Sequence, residues 1–310
     1  MRVVISEFMD EAAVARLAGA HPTLYDETLV DRRGELKERL ATAQALIVRN
    51  RTQVDADLLA AAPALRVVGR LGVGLDNIDV AACAVRGIAV IPATGANTVA
   101  VAEYVIGTAL SLLRGAYGAT AAVAAGEWPR PALSRGRELA GKTLGIVGFG
   151  TIGRAVAALA RALSLRVIGC DPALALDAPV WAEAWTQARP LAEVLAAADV
   201  LTLHVPLADS TRALLDAARL ATMKPDAVLI NTSRGGIVDE AALAAALRAG
   251  RLGGAALDVF ATEPLPAGSP LAGCPNLILT PHIAGVTRES NVRVSTLIAD
   301  QVAAALAPAP

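Results

Sequence analysis

The sequence predicts an α/β fold built on parallel sheets, and three observations carry that prediction. Short β-branched runs alternate with alanine-rich helical stretches along the whole chain. Several of those runs are continuously apolar, as strands buried on both faces must be. The length of 310 residues exceeds what one core organises comfortably and suits two domains.

The expected strands are 3–6, 45–48, 67–68, 89–91, 143–147, 166–170, 200–203, 228–231, 254–257 and 277–279. The best-defined unit is the strand 143–147, a glycine turn, a helix over 152–163 and the strand 166–170. Just before it, the segment 126–141 breaks the periodicity with Trp128, Pro129, Pro131 and Gly136. The chain closes on a short Ala/Pro end, 303–310.

The turn reads Gly148-Phe149-Gly150-Thr151-Ile152-Gly153, a G-x-G-x-x-G pattern placed between a strand and a helix. Gly148 permits the tight turn, Gly150 lets backbone approach a pyrophosphate, and Gly153 lets helix and strand pack closely. The helix start, with Thr151 and Ile152, turns free N–H groups and a positive dipole end toward phosphates. Asp171 follows Gly153 by 18 residues, directly after the strand ending at Cys170. A carboxylate there accepts hydrogen bonds from an adenosine ribose and repels a 2′-phosphate, so the expected cofactor is NAD rather than NADP.

Composition excludes other partners. A net charge of −1 offers no general attraction to nucleic acid or anionic lipid, and 3% aromatic residues leave little to stack on bases. Three scattered cysteines lack metal-ligand spacing and a disulfide framework. The most apolar long stretch, 99–113, is interrupted by Glu103 and is too short to span a bilayer. The N-terminus reads as strand then helix, without a cleavable leader. The expectation is a cytoplasmic protein with no membrane, metal or nucleic-acid partner.

Seven segments then matter together: GRLGVGLDNIDV (69–80), NTVAVAEYVIG (97–107), LAGKTLGIVGFGTIGRAVA (139–157), LTLHVPLADSTRALLD (201–216), MKPDAVLINTSRGGIVDEAAL (223–243), GAALDVFATEPL (254–265) and LILTPHIAG (277–285). In that order they resemble the D-isomer-specific 2-hydroxyacid dehydrogenase family, over about two thirds of the chain. The resemblance implies two Rossmann-like domains: a substrate domain, 1–96 plus 286–310, into which an NAD-binding domain, 97–285, is inserted. It also implies a homodimer, with 99–140 as the pairing segment.

The reaction implied is hydride exchange between a 2-hydroxy acid and its 2-keto acid. Such chemistry needs a cation for the substrate carboxylate, a proton donor/acceptor, and a group that orients it. His282, in LTPHIAG, resembles the family's acid/base, Glu263, in ATEP, its carboxylate partner, and Arg234, in NTSRG, its substrate arginine. All three follow strand ends, where α/β enzymes place ligands. His204, in LHVPL, also ends a strand; the resemblance puts it beside the cofactor, with Thr232, Ser233 and Asp258, the last holding the nicotinamide carboxamide. His21 is expected in an exposed loop. Asn97 and Glu103 match the family's N-x-x-x-V-A-E pattern, and Glu103 is read as a buried structural hydrogen-bonding residue.

For the substrate, the loop Gly72-Val73-Gly74 is expected to offer backbone N–H groups to a carboxylate. Arg49, Arg51 and Arg70 flank it in sequence and would suit a second anion. The segments 5–17, 25–32 and 45–59 look like a branch that includes (S)-sulfolactate dehydrogenases; phosphoglycerate dehydrogenases are the main competitor. Sulfur outranks oxygen in naming, so (S)-sulfolactate has the D-type arrangement. The alternatives are a hydroxypyruvate/glyoxylate reductase and, from another class, an NAD-sensing corepressor-like binding protein.

Overall fold

Twelve strands among the described residues, every pair of neighbours parallel, form two separate sheets. The computed structural model describes residues 2–307; Met1 and the last three residues of the predicted Ala/Pro end, 308–310, lie outside the described residues. The first sheet has the order β2-β1-β3-β4-β5, with β1 Val3–Ile5, β2 Thr23–Tyr25, β3 Ala45–Val48, β4 Val67–Arg70 and β5 Ala89–Pro92. The second has the order β12-β11-β10-β9-β6-β7-β8. Its strands are β6 Thr143–Val147, β7 Arg166–Cys170, β8 Gln187–Ala188, β9 Val200–Leu203, β10 Val228–Asn231, β11 Gly254–Leu257 and β12 Leu277–Leu279.

The chain divides into two compact units: Met1–Asn97 with Val286–Pro310, and Thr98–Gly285. The second is inserted into the chain of the first, and the division falls after Asn97, whereas the sequence reading placed it before.

Continuous apolar runs become strands here because both faces are covered. In β1, Val4 packs with Leu36, Leu40 and Leu58 on one side. Its neighbours Val3 and Ile5 pack with Leu17, Ile298 and Val302 on the other. In β10, Leu229 enters one core and Val228 and Ile230 the other. The period of two makes every residue of such a strand a core residue.

The strands β2 and β8 were not anticipated. Each is an edge strand, three and two residues long, with no fully buried residue, so it shows no apolar run of the kind that marks the central strands. β1 stops at Ile5, one residue earlier than expected, although Ser6 N–H still donates to Ile47 O at 3.1 Å, while β4 and β5 run on to Arg70 and Pro92. The helix after β6 spans Thr151–Ala162, one residue earlier at each end than expected.

Glu103 is a correction. On the helix Thr98–Arg114 the buried positions include Val101, Ala102, Val105, Ala109 and Leu112. At 100° per residue, Glu103 falls on the opposite face with Val99, Gly107 and Leu110, and it is exposed. His21 caps the helix Glu11–Ala20 and is half-buried rather than fully exposed. Among the described residues no single helix is long and apolar enough to cross a membrane; the bent pair Thr98–Arg114 and Tyr117–Ala124 passes by length and composition. The buried face of the first of these packs into the core of its unit.

Candidate active site

The order of the second sheet reverses between β6 and β9: the chain leaves β6 toward β7 and β8, then returns to pair β9 on the other side of β6. A parallel sheet opens a crevice at such a point, beyond the carboxyl ends of its strands. The residues singled out in this unit follow those ends in spatial order: Asp171 after β7, Gly148 after β6, His204 after β9, Thr232 to Arg234 after β10, Asp258 to Glu263 after β11, His282 after β12. At normal strand spacing the row is about 24 Å long.

At its centre the three glycines have three different reasons. Gly148 has φ +94°, and a Cβ there would sit 2.5 Å from His204 O. Gly153 would bring a Cβ within 2.3 Å of Gly148 O. Gly150 has ordinary φ, and a Cβ added there meets nothing within 4 Å. It is the N-cap of the helix Thr151–Ala162 and offers no side chain to the first-turn N–H groups. Space and uncapped donors therefore coincide at the start of a 12-residue helix. Asp171 ties the turn to β7: Phe149 N–H donates to Oδ2 at 2.7 Å and Ala173 N–H to Oδ1 at 2.8 Å.

His204 Nε2 lies 3.0 Å from Thr202 Oγ1. Burial pushes its imidazole down to about 3, so the ring is neutral at physiological pH. Thr232 Oγ1 is buried and has no hydrogen-bond partner among the described residues. An orphaned hydroxyl, open space at Gly150 and an uncapped helix start fit a dinucleotide along these strand ends.

The loops after β10, β11 and β12 are tied to one another. Asn231 Oδ1 accepts from Ser233 N–H at 3.0 Å and Ser233 Oγ at 2.8 Å, and Asn231 Nδ2 donates to Arg234 O at 2.9 Å. Arg234 Nη1 donates to Ser233 O at 2.6 Å. At Gly235 a Cβ would meet Phe260 O at 1.8 Å, so only glycine allows these two loops their approach. Phe260 N–H donates to Glu263 Oε1 at 3.0 Å, and Glu263 Oε2 lies 2.8 Å from His282 Nδ1. His282 is exposed, has φ +56°, and its N–H donates to Asp258 O at 2.8 Å. The imidazole thus has one nitrogen bound to a carboxylate and the other turned to neither Glu263 oxygen. A ring so arranged can take and give a proton at Nε2.

Asp258 is more heavily engaged than the sequence reading expected. It is 1% exposed. Its carboxylate accepts from Thr280 Oγ1 at 2.6 Å and from the N–H groups of Ile283 and Ala284, both at 2.8 Å. Beyond Thr280 stands Tyr104, its hydroxyl 2.6 Å from Thr280 Oγ1.

In the first unit the arginines have separate settings. Arg49 donates from Nη2 to Asn291 Oδ1 at 2.7 Å and lies over Phe8, 5.7 Å from the ring centroid. Arg51 pairs with Asp31, both largely exposed. Arg70 Nη1 donates to Leu71 O at 2.9 Å, and its guanidinium fills the space a Cβ at Gly72 would need. Gly72 N–H is already donated to Arg70 O at 2.8 Å, which leaves Val73 and Gly74 as the loop's remaining donors.

Sequence reasoning missed Glu7. Its carboxylate is 4% exposed and accepts four backbone N–H groups, from Arg49 and Thr52 at 2.9 Å, Arg51 at 3.1 Å and Asn50 at 3.3 Å. The local signal was an acid two residues after the apolar strand β1. Tyr104 and Thr280 gave none.

Among known proteins, the family described as "D-isomer specific 2-hydroxyacid dehydrogenase, NAD binding domain" matches residues 106–284. The chain is 57% identical over 304 residues to the (S)-sulfolactate dehydrogenase of Chromohalobacter salexigens, with 98% of each chain covered. It is 37% identical over 302 residues to the D-3-phosphoglycerate dehydrogenase of Archaeoglobus fulgidus, covering 97% of this chain and 56% of that one. The crystal structure of the TT0316 protein from Thermus thermophilus superposes with a TM-score of 0.89 at 35% identity, covering 99% of this chain and 97% of the other.

Proposed function

Since this chain belongs to the D-isomer specific 2-hydroxyacid dehydrogenase family and is an NAD-dependent 2-hydroxyacid dehydrogenase, we propose that its substrate carries a second anionic group, (S)-sulfolactate first and 3-phosphoglycerate second. The observation that carries the choice is the 57% identity to an (S)-sulfolactate dehydrogenase along 98% of both chains. The phosphoglycerate dehydrogenase is more distant, and this chain spans about half its length.

His282 is the acid/base in this reading. Glu263, bound to Nδ1 at 2.8 Å, orients the ring and fixes its tautomer, so that Nε2 gives a proton to the keto oxygen in reduction and takes the hydroxyl proton in oxidation. Arg234 holds the substrate carboxylate with its guanidinium fork and polarises the carbonyl. Bound NAD supplies the ring that exchanges hydride with the substrate carbon. Gly150, Thr151 and Ile152 would take its pyrophosphate on a turn shaped by Gly148 and Gly153, Asp171 would hold its adenosine ribose, and His204, Thr232, Ser233 and Asp258 would line its nicotinamide half. The inserted unit is then the NAD-binding domain and the other the substrate domain, whose candidates for holding an anion are Arg49, Arg70 and the N–H groups of Val73 and Gly74, Gly72 N–H being donated to Arg70 O and Arg51 paired with Asp31.

A homodimer and a cytoplasmic setting complete the proposal. For the dimer, the support is the exposed apolar face of Val99 and Leu110 on one helix, followed by Tyr117 and Trp128, exposed by 69% and 74%.

The test is NADH oxidation by the purified protein against sulfopyruvate, 3-phosphohydroxypyruvate, hydroxypyruvate and glyoxylate. The doubly anionic acids are expected to win by more than tenfold in kcat/KM, worth about 1.4 kcal/mol of transition-state binding. Equal efficiency with glyoxylate would replace this reading by a glyoxylate or hydroxypyruvate reductase. His282→Ala is expected to abolish most turnover and leave NADH binding nearly intact.

A further inference from the structure

His282 stands in a left-handed backbone conformation, φ +56°, which a side chain with a Cβ occupies only when its surroundings hold it there. What holds it is visible. His282 N–H donates to the carbonyl of Asp258, and the next two N–H groups, of Ile283 and Ala284, donate to the two oxygens of the Asp258 carboxylate. The turn is pinned at three successive amides by one residue.

Asp258 is itself held from behind. Its carboxylate accepts these amides, so the Thr280 hydroxyl, 2.6 Å from Oδ1, donates to it. The Thr280 oxygen then has lone pairs to receive a donor, and the Tyr104 hydroxyl lies 2.6 Å away. Burial raises the Tyr104 phenol, which keeps its proton in place. The line therefore has one direction, Tyr104 to Thr280 to Asp258. It begins on the helix Thr98–Arg114, whose buried face is locked into the core by Val105, Ala109 and Leu112.

We propose that Tyr104 and Thr280 are positioning residues for the acid/base: their hydrogen-bond line fixes the Asp258 carboxylate, which holds the 282–284 turn and keeps the His282 ring on Glu263. The proposal rests on the reading of His282 as the proton-transfer group. It makes no demand on the identity of the substrate, because every member of the line lies in the inserted unit.

The experiment compares steady-state kinetics and thermal unfolding of four variants. Tyr104→Phe removes one hydroxyl and keeps the ring; kcat is expected to fall about fivefold, with the KM for NADH within twofold of wild type. Thr280→Val breaks the line at its middle and is expected to cost more, about thirtyfold in kcat, whereas Thr280→Ser keeps the hydroxyl and restores kcat to within about threefold of wild type. Val105→Ala, on the same helix and away from the line, lowers the unfolding temperature and leaves kcat unchanged. Wild-type kcat in Tyr104→Phe, or a Val105→Ala loss of kcat as large as that of Tyr104→Phe, overturns the proposal. His282→Ala, measured alongside, separates the two levels: if it keeps turnover, the acid/base assignment falls; if it loses turnover while Tyr104→Phe does not, only the positioning role falls.

Discussion

Two turns in this molecule are built on the same plan and used in opposite ways. The loop 49–52 follows β3 in one sheet and the turn 148–153 follows β6 in the other; each collects backbone N–H groups beyond the carboxyl end of a buried parallel strand. Such a collection attracts a negative group. In the first loop the chain supplies that group itself: the Glu7 carboxylate takes all four amides from Arg49 to Thr52. In the second, Asp171 takes only Phe149 N–H, the helix start has no side-chain cap, and Gly150 faces open space. One anion site is closed by folding; the other stays open for an anion that arrives. The difference lies in how much of the turn a neighbouring acid covers: Glu7 takes every amide of its loop, and Asp171 one amide of its turn.

The largest effect should come from emptying the closed site. Glu7→Ala leaves four amides around a buried hole, each having lost a charged acceptor, and should destabilise the unit that contains them by about 4 kcal/mol. Urea unfolding followed by circular dichroism would show this as an earlier first transition, with NADH affinity by fluorescence titration unchanged. A variant as stable as wild type would mean that water serves these amides as well as Glu7 does, and the comparison would lose its closed half.

Next is the converse, filling the open site. In Gly150→Val the added Cβ meets nothing within 4 Å, so the cost in the free protein is that of a poorer helix cap, about 4 °C or less in unfolding temperature, while NADH binding weakens by more than tenfold, about 1.4 kcal/mol. Gly153→Ala sharpens the contrast. Its Cβ would meet Gly148 O at 2.3 Å, so it should lose stability and binding together. NADH binding to Gly150→Val at wild-type affinity would move the pyrophosphate away from this turn.

How much of this could be read in the sequence follows from the reach of each interaction. The strand, glycine turn, helix and Asp171 lie within 143–171, and local rules place them to within a residue. Arg234, Glu263 and His282 were singled out because NTSRG, ATEP and LTPHIAG resemble the family's motifs; the fold puts the strands that precede them side by side. Glu103 was misjudged because a motif match does not say which face of a helix a residue takes. Glu7 reaches amides 42 to 45 residues away, and Tyr104 meets Thr280 across 176 residues. Polar partners at such distances leave no periodicity to read. The arginines show the same limit in another form. Their positions after β3 and at the end of β4 were legible, but the Arg51 partner Asp31 and the Arg49 partner Asn291 were not.

An effect confined to acid pH tests whether the open site tolerates charge of its own. His204 and His282 both follow strand ends of the inserted unit, β9 and β12, yet only His282 has a carboxylate at its ring. Burial pushes His204 down to about 3, against about 6.5 in an unfolded chain. The sign follows from proton counting. Between those values the unfolded chain holds a proton that the folded chain refuses, so His204 lowers stability as pH falls below about 6.5 and has no effect above it. His204→Asn should remove that part of the acid sensitivity: the drop in urea midpoint between pH 7 and pH 5 should be smaller in the variant, whatever its absolute stability. The pH dependence of turnover over the same range should keep its shape, because a ring that stays neutral contributes no titration. An equal drop in midpoint in both proteins would mean that His204 charges within the fold. The wall proposed for the nicotinamide half would then carry a cation at low pH, and the contrast drawn between His204 and the proposed acid/base His282 would be lost.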